Sequence, residues 1–300
     1  MDIFQWIMDP LQYAFMQRAL IEVLLMGVAC GLIGTYVVLR GMAFIGDALS
    51  HAIFPGVVVA FLLHISFFIG ALAFGLITAV SIGALSRNRR VSEDTAIGVL
   101  FAGMFALGIV LISTVKGYTA NLASFLFGNV LGVSNEDLIA SAAISLLVLV
   151  VLILFNKELV LVAFDSDMAE AVGLPVWLVN LGLLLLIALT IVVSLSAVGN
   201  ILVVAMLVTP AAAARLWTDR LRVMMTLSAL FGAIAGVAGL LTSYHTDLAA
   251  GGTIVLIVTA WFGISLVVAP RHGLVGRLLS RGPGKAHVLV PGETPAAHTH

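Results

Sequence analysis

The sequence has 300 residues, of which 62% are hydrophobic and 10% are charged. No soluble globular domain has this balance, so the chain is predicted to be an all-α polytopic membrane protein. The formal net charge of −1 gives no reason to expect nucleic acid as a partner, and a single cysteine excludes an internal disulfide.

The apolar runs divide the chain into three parts. Residues 1–16 mix aromatic and acidic side chains and suit an N-terminal segment at the membrane interface. Residues 17–270 are predicted to form the transmembrane domain, and the polar stretch 271–300 is predicted to be a partly disordered cytoplasmic tail. The predicted spans are, in order, 18–39, a second one ending near 64, 66–86, 95–115, 137–156, 176–197, 199–214, 223–243 and 253–269.

The semi-polar segment 116–136 is compatible with an external loop, a re-entrant helix or a further crossing, so eight to nine spans are expected. If this segment does not cross, twelve of the 14 Lys and Arg lie on one side of the membrane. The bias of cations toward the cytoplasm then places the C-terminus inside. These residues are Arg40, Arg87, Arg89, Arg90, Lys157, Arg215, Arg220, Arg222, Arg271, Arg277, Arg281 and Lys285.

The second span carries an acid and a histidine at membrane depth. Asp47 and His51 are four residues apart and therefore share one face of a helix. A carboxylate at the centre of a bilayer costs roughly 2.5–3.5 kcal/mol, so such a group faces a bundle interior or a wet cavity. Gly46 before the pair and Pro55-Gly56 after it are predicted to kink or open the helix as gates.

The Asp47–His51 pair is predicted to contact a metal ion. A carboxylate with a neutral imidazole suits manganese, iron(II) or zinc, and two ligands hold an ion weakly enough for it to leave. A symmetric dimer would bring two such pairs to one axis and complete four ligands. The alternative is a pair of buried polar groups that hydrogen-bond neighbouring helices.

A second polar cluster follows the eighth span, on the predicted outer side. His245 and Asp247 are candidates for guiding a cation into the pathway entrance. An ordinary solvated loop explains the same residues.

The predicted cytoplasmic stretch 164–175 is rich in acids. Asp165 or Ser166 is expected to cap a short helix that contains Asp167 and Glu170, and Gly173 and Pro175 are expected to end it. A short cytoplasmic helix between two halves of a transporter is the shape of a coupling element for a motor subunit. A plain interfacial helix is the alternative.

The stretch 198–215 is interpreted as structural. Asn200 is polar near its outer end, and Pro210 is predicted to interrupt the helix beside alanines that permit close packing. In the tail, the irregularly spaced His287, His298 and His300 are assigned to a disordered segment.

Together these stretches resemble the membrane-spanning permease of ATP-binding-cassette (ABC) importers for divalent metals, a family that handles manganese, zinc and iron. The resemblance covers essentially all of 17–270, and the form of its first motif is closer to the manganese and iron members. The sequence departs from the family pattern at His245 and at Leu248–Ala250. The motifs that carry it are, in order, Gly46–Gly56, Met168–Pro175, Val198–Ala213, and Ser243–Asp247 followed by Gly251–Val255.

This resemblance implies a homodimeric permease of the cell membrane that binds no permanent cofactor and transports a divalent metal. Asp47 and His51 would contact the ion, and residues 165–175 would dock on a nucleotide-binding ABC subunit. An extracellular metal-binding protein would deliver the ion to the outer face. The chain itself would catalyse no reaction, because the sequence has no Gly-rich Lys-Ser/Thr phosphate-binding loop.

Two other classes of protein fit parts of the sequence. In an ion- or proton-coupled secondary transporter, Asp47 and His51 would relay protons. The two halves of the chain show no clear inverted repeat, which disfavours this class. An intramembrane metalloprotease is disfavoured because the sequence contains no His-Glu-x-x-His pattern.

Overall fold

The computed structural model describes residues 6, 8–87, 91–114, 130–271 and 273, without the side chains of 196 and 197. Within these residues the regular structure is helical, with short 3-10 turns at Pro10–Gln12 and Val130–Gly132. The α-helices of this part of the chain are α1 (Ala14–Leu39), α2 (Ile45–Ala52), α3 (Phe54–Leu62), α4 (Phe67–Ser86), α5 (Glu93–Ser113), α6 (Asn135–Leu154), α7 (Asn156–Phe164), α8 (Ser166–Ala171), α9 (Val176–Val198), α10 (Asn200–Trp217), α11 (Leu221–Thr246) and α12 (Ala250–Val268).

Nine segments of the described chain are long and apolar enough to cross a membrane, with α2 and α3 together forming one of them. The predicted polytopic, all-α architecture is therefore confirmed. Helix α1 begins at Ala14, within the predicted interfacial segment 1–16, and not at residue 18 as predicted. Arg18 is half-buried inside the helix, where its aliphatic stem can pack against apolar neighbours. Residues 115–129 and 274–300 lie outside the described chain, and with them most of the ambiguous segment 116–136 and the tail histidines.

Local signals fix several helix ends. Ser92 caps the start of α5, since its side chain accepts a hydrogen bond from the backbone N–H of Thr95. At the start of α6, Ser134 and Asp137 satisfy each other's backbone N–H groups in a capping box. The spans thus begin where side chains replace the missing intrahelical hydrogen-bond acceptors.

Helix α1 lies at the centre of the bundle and packs through the small residues on its surface. Gly27 touches the backbone of α11, and the carbonyl of Gly31 accepts a hydrogen bond from Ser228 of α11 at 2.7 Å. One turn further on, Gly34 lies against the backbone of Leu207 in α10. Side chains at these glycines would push the helices apart, because close backbone approach is what holds such helices together in lipid.

The second span is broken and the seventh is continuous. The predicted break is found at Ile53, between α2 and α3, because Pro55 has no N–H for the carbonyl of His51. The predicted interruption at Pro210 is wrong, since α10 runs through this residue. Pro210 is buried among neighbouring helices, which can hold a proline-containing helix together.

Several basic residues that the sequence assigned to one side line two cavities in the structure. Arg40 and Arg87 line one cavity, and Arg220 and Arg222 line another together with Lys157. We call this end of the bundle the basic end.

Candidate metal site

Asp47 and His51 face each other on α2. The carboxylate Oδ1 of Asp47 is 3.5 Å from Nε2 of His51, and the side chains are 38% and 25% exposed in the single chain. Their placement follows directly from the helical spacing, since residues i and i+4 are neighbours on a helix surface. Both side chains are therefore accessible and only loosely joined to each other.

The separation of the two ligand atoms suits a shared metal ion. Imidazole nitrogen and carboxylate oxygen bind a transition metal at about 2.1 Å, so adjacent ligands of one ion are about 3.0 to 3.4 Å apart. The observed 3.5 Å requires only a small adjustment. Direct hydrogen bonds are usually shorter, so an ion can enter between the two groups without breaking a strong interaction.

The imidazole of His51 is held on one side by aromatic rings of α5. Its ring meets the rings of Phe101 and Phe105 edge-on, with centroids 5.6 and 5.2 Å apart, and the two phenyl rings stack on each other. Phe44 packs edge-on against Phe101. These apolar contacts fix the orientation of the imidazole while leaving Nε2 to polar partners.

Sequence reasoning missed Asn200 as part of this site. Its amide Nδ2 lies 3.5 Å from Nε2 of His51, across 149 residues of sequence, and the residue is 5% exposed. Asn200 is the first residue of α10, which packs beside α2 where Gly46 meets Leu207. Gly46 therefore permits close helix packing instead of breaking the helix. The sequence signal for Asn200 is a polar residue at the start of an apolar stretch.

Within the described residues, no group of three or more His, Cys, Asp and Glu side chains comes together as a metal site. Asp47 and His51 are thus an incomplete set of such ligands in one chain. Because Asp47 is partly exposed within an apolar span, the site needs further protein or water around it.

The predicted entrance residues lie at the end of α11. Nε2 of His245 is 2.8 Å from the backbone oxygen of Trp6, and the two rings stack with centroids 4.6 Å apart. Asp247 follows the helix with a left-handed backbone and lines a cavity of about 530 Å³ with His245. The described hydrogen bonds and ion pairs do not join this cluster to Asp47 or His51.

The short helix predicted within 164–175 is observed as α8. Asp165 caps the helix by accepting a hydrogen bond from the N–H of Met168 at 2.8 Å. Gly173 has a positive φ of 84° and ends the helix by donating to the carbonyl of Glu170, while Leu174 donates to Ala169. Asp165, Asp167 and Glu170 are exposed.

Helix α8 also exposes apolar side chains that the sequence reasoning did not single out. Met168 and Val172 are 51% and 56% exposed, and Phe164 just before the helix is 64% exposed. Ala169 is buried against the bundle and fixes which face points outward. An exposed apolar face on a short helix outside the spans is a candidate surface for a protein partner.

A cavity of about 270 Å³ joins α8 to the turn before the metal site. Glu170 lines this cavity together with Arg40 and Glu93, whose side chains form an ion pair at 3.1 Å. Burial lowers the pKa of the Arg40 guanidinium and Glu93 opposes this change. Arg40 remains charged and ties the end of α1 to the start of α5.

Nine apolar spans in the described chain, one of them broken beside a carboxylate and an imidazole, indicate a membrane transport protein. The model of the ABC 3 transport family matches residues 12–269, so the chain belongs to this family. The family resemblance noted in the motifs is confirmed, and the alternative of a secondary transporter is not supported.

Individual relatives are similar over most of their length. The chain is 48% identical over 267 residues to the manganese transport system membrane protein MntC of Halalkalibacterium halodurans, covering 89% of this chain and 91% of the relative. It is 43% identical to the chelated iron transport system membrane protein YfeD of Yersinia pestis, covering 88% and 89%. The solved structure of PsaBC from Streptococcus pneumoniae in complex with Fab contains a chain that superimposes with a TM-score of 0.78 at 40% identity, covering 90% and 97%.

Proposed function

We propose that this chain is the membrane permease of an ATP-driven importer of a divalent transition metal, with manganese preferred and zinc or iron as the other candidates. The observation that carries the proposal is the Asp47–His51 pair inside a broken span of an ABC permease. The names of the relatives, which include manganese and iron transport proteins, support this class of substrate.

Two copies of the chain would face each other across a two-fold axis at α2. A partly exposed carboxylate in an apolar span costs roughly 2.5–3.5 kcal/mol if it faces lipid, so a second copy or a wet pathway must cover Asp47. Two Asp47–His51 pairs would supply four ligands to one ion. Separation of the copies would divide this set and release the ion.

The basic end would face the cytoplasm, because cations concentrate on that side of membrane proteins. It carries Arg40, Arg87 and Lys157, and the tail begins beside it at Arg271, which pairs with Asp219. Helix α8 would dock on a separate ABC ATPase subunit through Met168 and its acidic neighbours. The chain itself would then catalyse no reaction, and an extracellular metal-binding protein would deliver the ion to the opposite end.

Uptake of radioactive manganese by cells that express the complete transporter tests the proposal. Asp47→Ala and His51→Ala are expected to abolish uptake while the chain still inserts in the membrane. Ser50→Ala is the matched control, because its hydroxyl donates only to the carbonyls of Gly46 and Asp47 in its own helix. Wild-type uptake in either ligand variant would contradict the proposal.

A further inference from the structure

We infer that Asn200 is a third ligand of the ion in the Asp47–His51 site, and that it favours manganese over zinc. The inference rests on the proposed function and adds the residue that discriminates between the metals. It starts from the side chain of Asn200, which is 5% exposed.

The carbonyl oxygen of the Asn200 side chain lacks a hydrogen-bond partner in the described part of the chain. A buried polar atom without a partner costs roughly 1–3 kcal/mol, so such atoms usually serve a bound ligand or water. The same amide group lies beside His51. The Asn200 amide thus has an unpaired oxygen and lies next to the imidazole of His51, which itself faces a carboxylate. This combination points to a metal ion.

The side chains of Asp47 and Asn200 lie at the same distance from the imidazole nitrogen of His51. Nε2 of His51 is 3.5 Å from Oδ1 of Asp47 and 3.5 Å from Nδ2 of Asn200. A half-turn of the amide exchanges its oxygen and nitrogen, which places Oδ1 where Nδ2 stands. The imidazole nitrogen of His51 would then lie close to the spacing of adjacent metal ligands from an oxygen of each of the other two residues.

The backbone holds Asn200 in this position. It follows Gly199, whose φ of 85° turns the chain sharply between α9 and α10. Leu207, two turns along α10, packs against both Gly34 of α1 and Gly46 of α2. Asn200 is therefore fixed relative to α2 by contacts on two central helices.

The number and type of ligands decide which metal is preferred. Asp47 and His51 from two copies give four ligands, the usual number for zinc in a tetrahedral site. With Asn200 from each copy the set becomes six, and the two added carbonyl oxygens are of the type that suits manganese. Asn200 would thus convert a site that fits zinc into one that fits manganese.

Titration of the purified transporter with Mn²⁺ and with Zn²⁺ tests this inference. Asn200→Leu removes the donor and keeps the volume, and is expected to weaken Mn²⁺ binding about tenfold while Zn²⁺ binding changes less than about threefold. Thr190→Val is the control, because this buried hydroxyl bonds only to Leu186 of its own helix. A wild-type ratio of the two affinities in Asn200→Leu, or an equal loss for both metals, would overturn the inference.

Two further variants separate the possible failures. Asn200→Asp keeps an oxygen donor and adds charge, so it is expected to bind Mn²⁺ at least as tightly as the wild type. Weaker Mn²⁺ binding in this variant would overturn the role of Asn200 even if Asn200→Leu does not fold.

Asp47→Ala is expected to lose both metals. Wild-type metal binding in Asp47→Ala would refute the proposed site itself. If Asp47→Ala loses both metals but Asn200→Leu keeps the wild-type ratio of Mn²⁺ to Zn²⁺ affinity, only this inference is refuted.

Discussion

Two histidine–aspartate pairs of the described chain differ in what their imidazole nitrogens contact. On α2, Nε2 of His51 faces the carboxylate of Asp47 at 3.5 Å. At the end of α11, Nε2 of His245 is already engaged with the backbone oxygen of Trp6 at 2.8 Å. The first imidazole nitrogen lies beside a carboxylate, as the proposed metal site requires, whereas the second contacts the backbone of the N-terminal segment.

The difference arises from where each pair lies on its helix. Asp47 and His51 are separated by four residues inside a helix, so their side chains project in the same direction. His245 and Asp247 straddle a helix end, where Asp247 has a left-handed backbone with φ of 55°. The same residue types therefore face each other on α2, where the helix aligns them, and do not do so at the end of α11.

The largest effect is expected at the pair on α2. The double variant Asp47→Ala/His51→Ala should lower manganese uptake about a hundredfold or more, equivalent to at least about 2.8 kcal/mol, because it removes both ligands. Initial rates of uptake at equal amounts of inserted protein measure the effect. A loss of less than tenfold would mean that these groups do not hold the transported ion.

A change in α8 should stop transport without altering the proposed metal site. Gly173→Ala should destabilise the end of α8 by about 1–2 kcal/mol, because its φ of 84° is unfavourable for a residue with Cβ. Co-purification with the ATPase subunit should fall while Mn²⁺ binding is unchanged.

Gly182→Ala is the matched control, since an added Cβ there also meets open space and Gly182 has no positive φ. Undiminished co-purification of Gly173→Ala, or an equal loss in Gly182→Ala, would argue against docking through α8.

The outer pair should give a smaller effect. His245→Ala and Asp247→Asn are expected to raise the metal concentration for half-maximal uptake by about threefold at most, because charges at an entrance influence capture more than retention. Thr246→Ala is the control, since its hydroxyl bonds to Thr242 in its own helix. If either variant matched the loss at Asp47, the outer cluster would be a binding site in its own right.

The smallest effect is expected in the tail. Truncation after Gly282 removes His287, His298 and His300 and should leave manganese uptake within about 20% of wild type, because the sequence predicts a disordered tail. The assay of initial rates applies here as well. A large loss would assign these histidines a part in transport.

Much of this architecture is predictable from sequence because it depends on local chemistry. Nine apolar runs indicate nine spans, and the i, i+4 spacing brings Asp47 and His51 together. Gly173 likewise predicts the end of α8 through the backbone conformation that it permits.

The remaining features depend on packing between distant parts of the chain. Asn200 reaches His51 only because α10 crosses α2, and no local pattern reports that contact. For the same reason Pro210 does not interrupt α10, and Gly46 acts as a packing residue against Leu207. The exposed apolar face of α8 also depends on which side Ala169 buries.

In the proposed site, His51 contributes its imidazole nitrogen to the transported metal. Pulsed electron paramagnetic resonance of Mn²⁺ bound to the purified transporter detects such a nitrogen through its hyperfine coupling to the manganese spin. This coupling is expected in the wild type and in His245→Ala, and its loss is expected in His51→Ala. Nitrogen coupling that persists in His51→Ala, or disappears in His245→Ala, would contradict this role of His51.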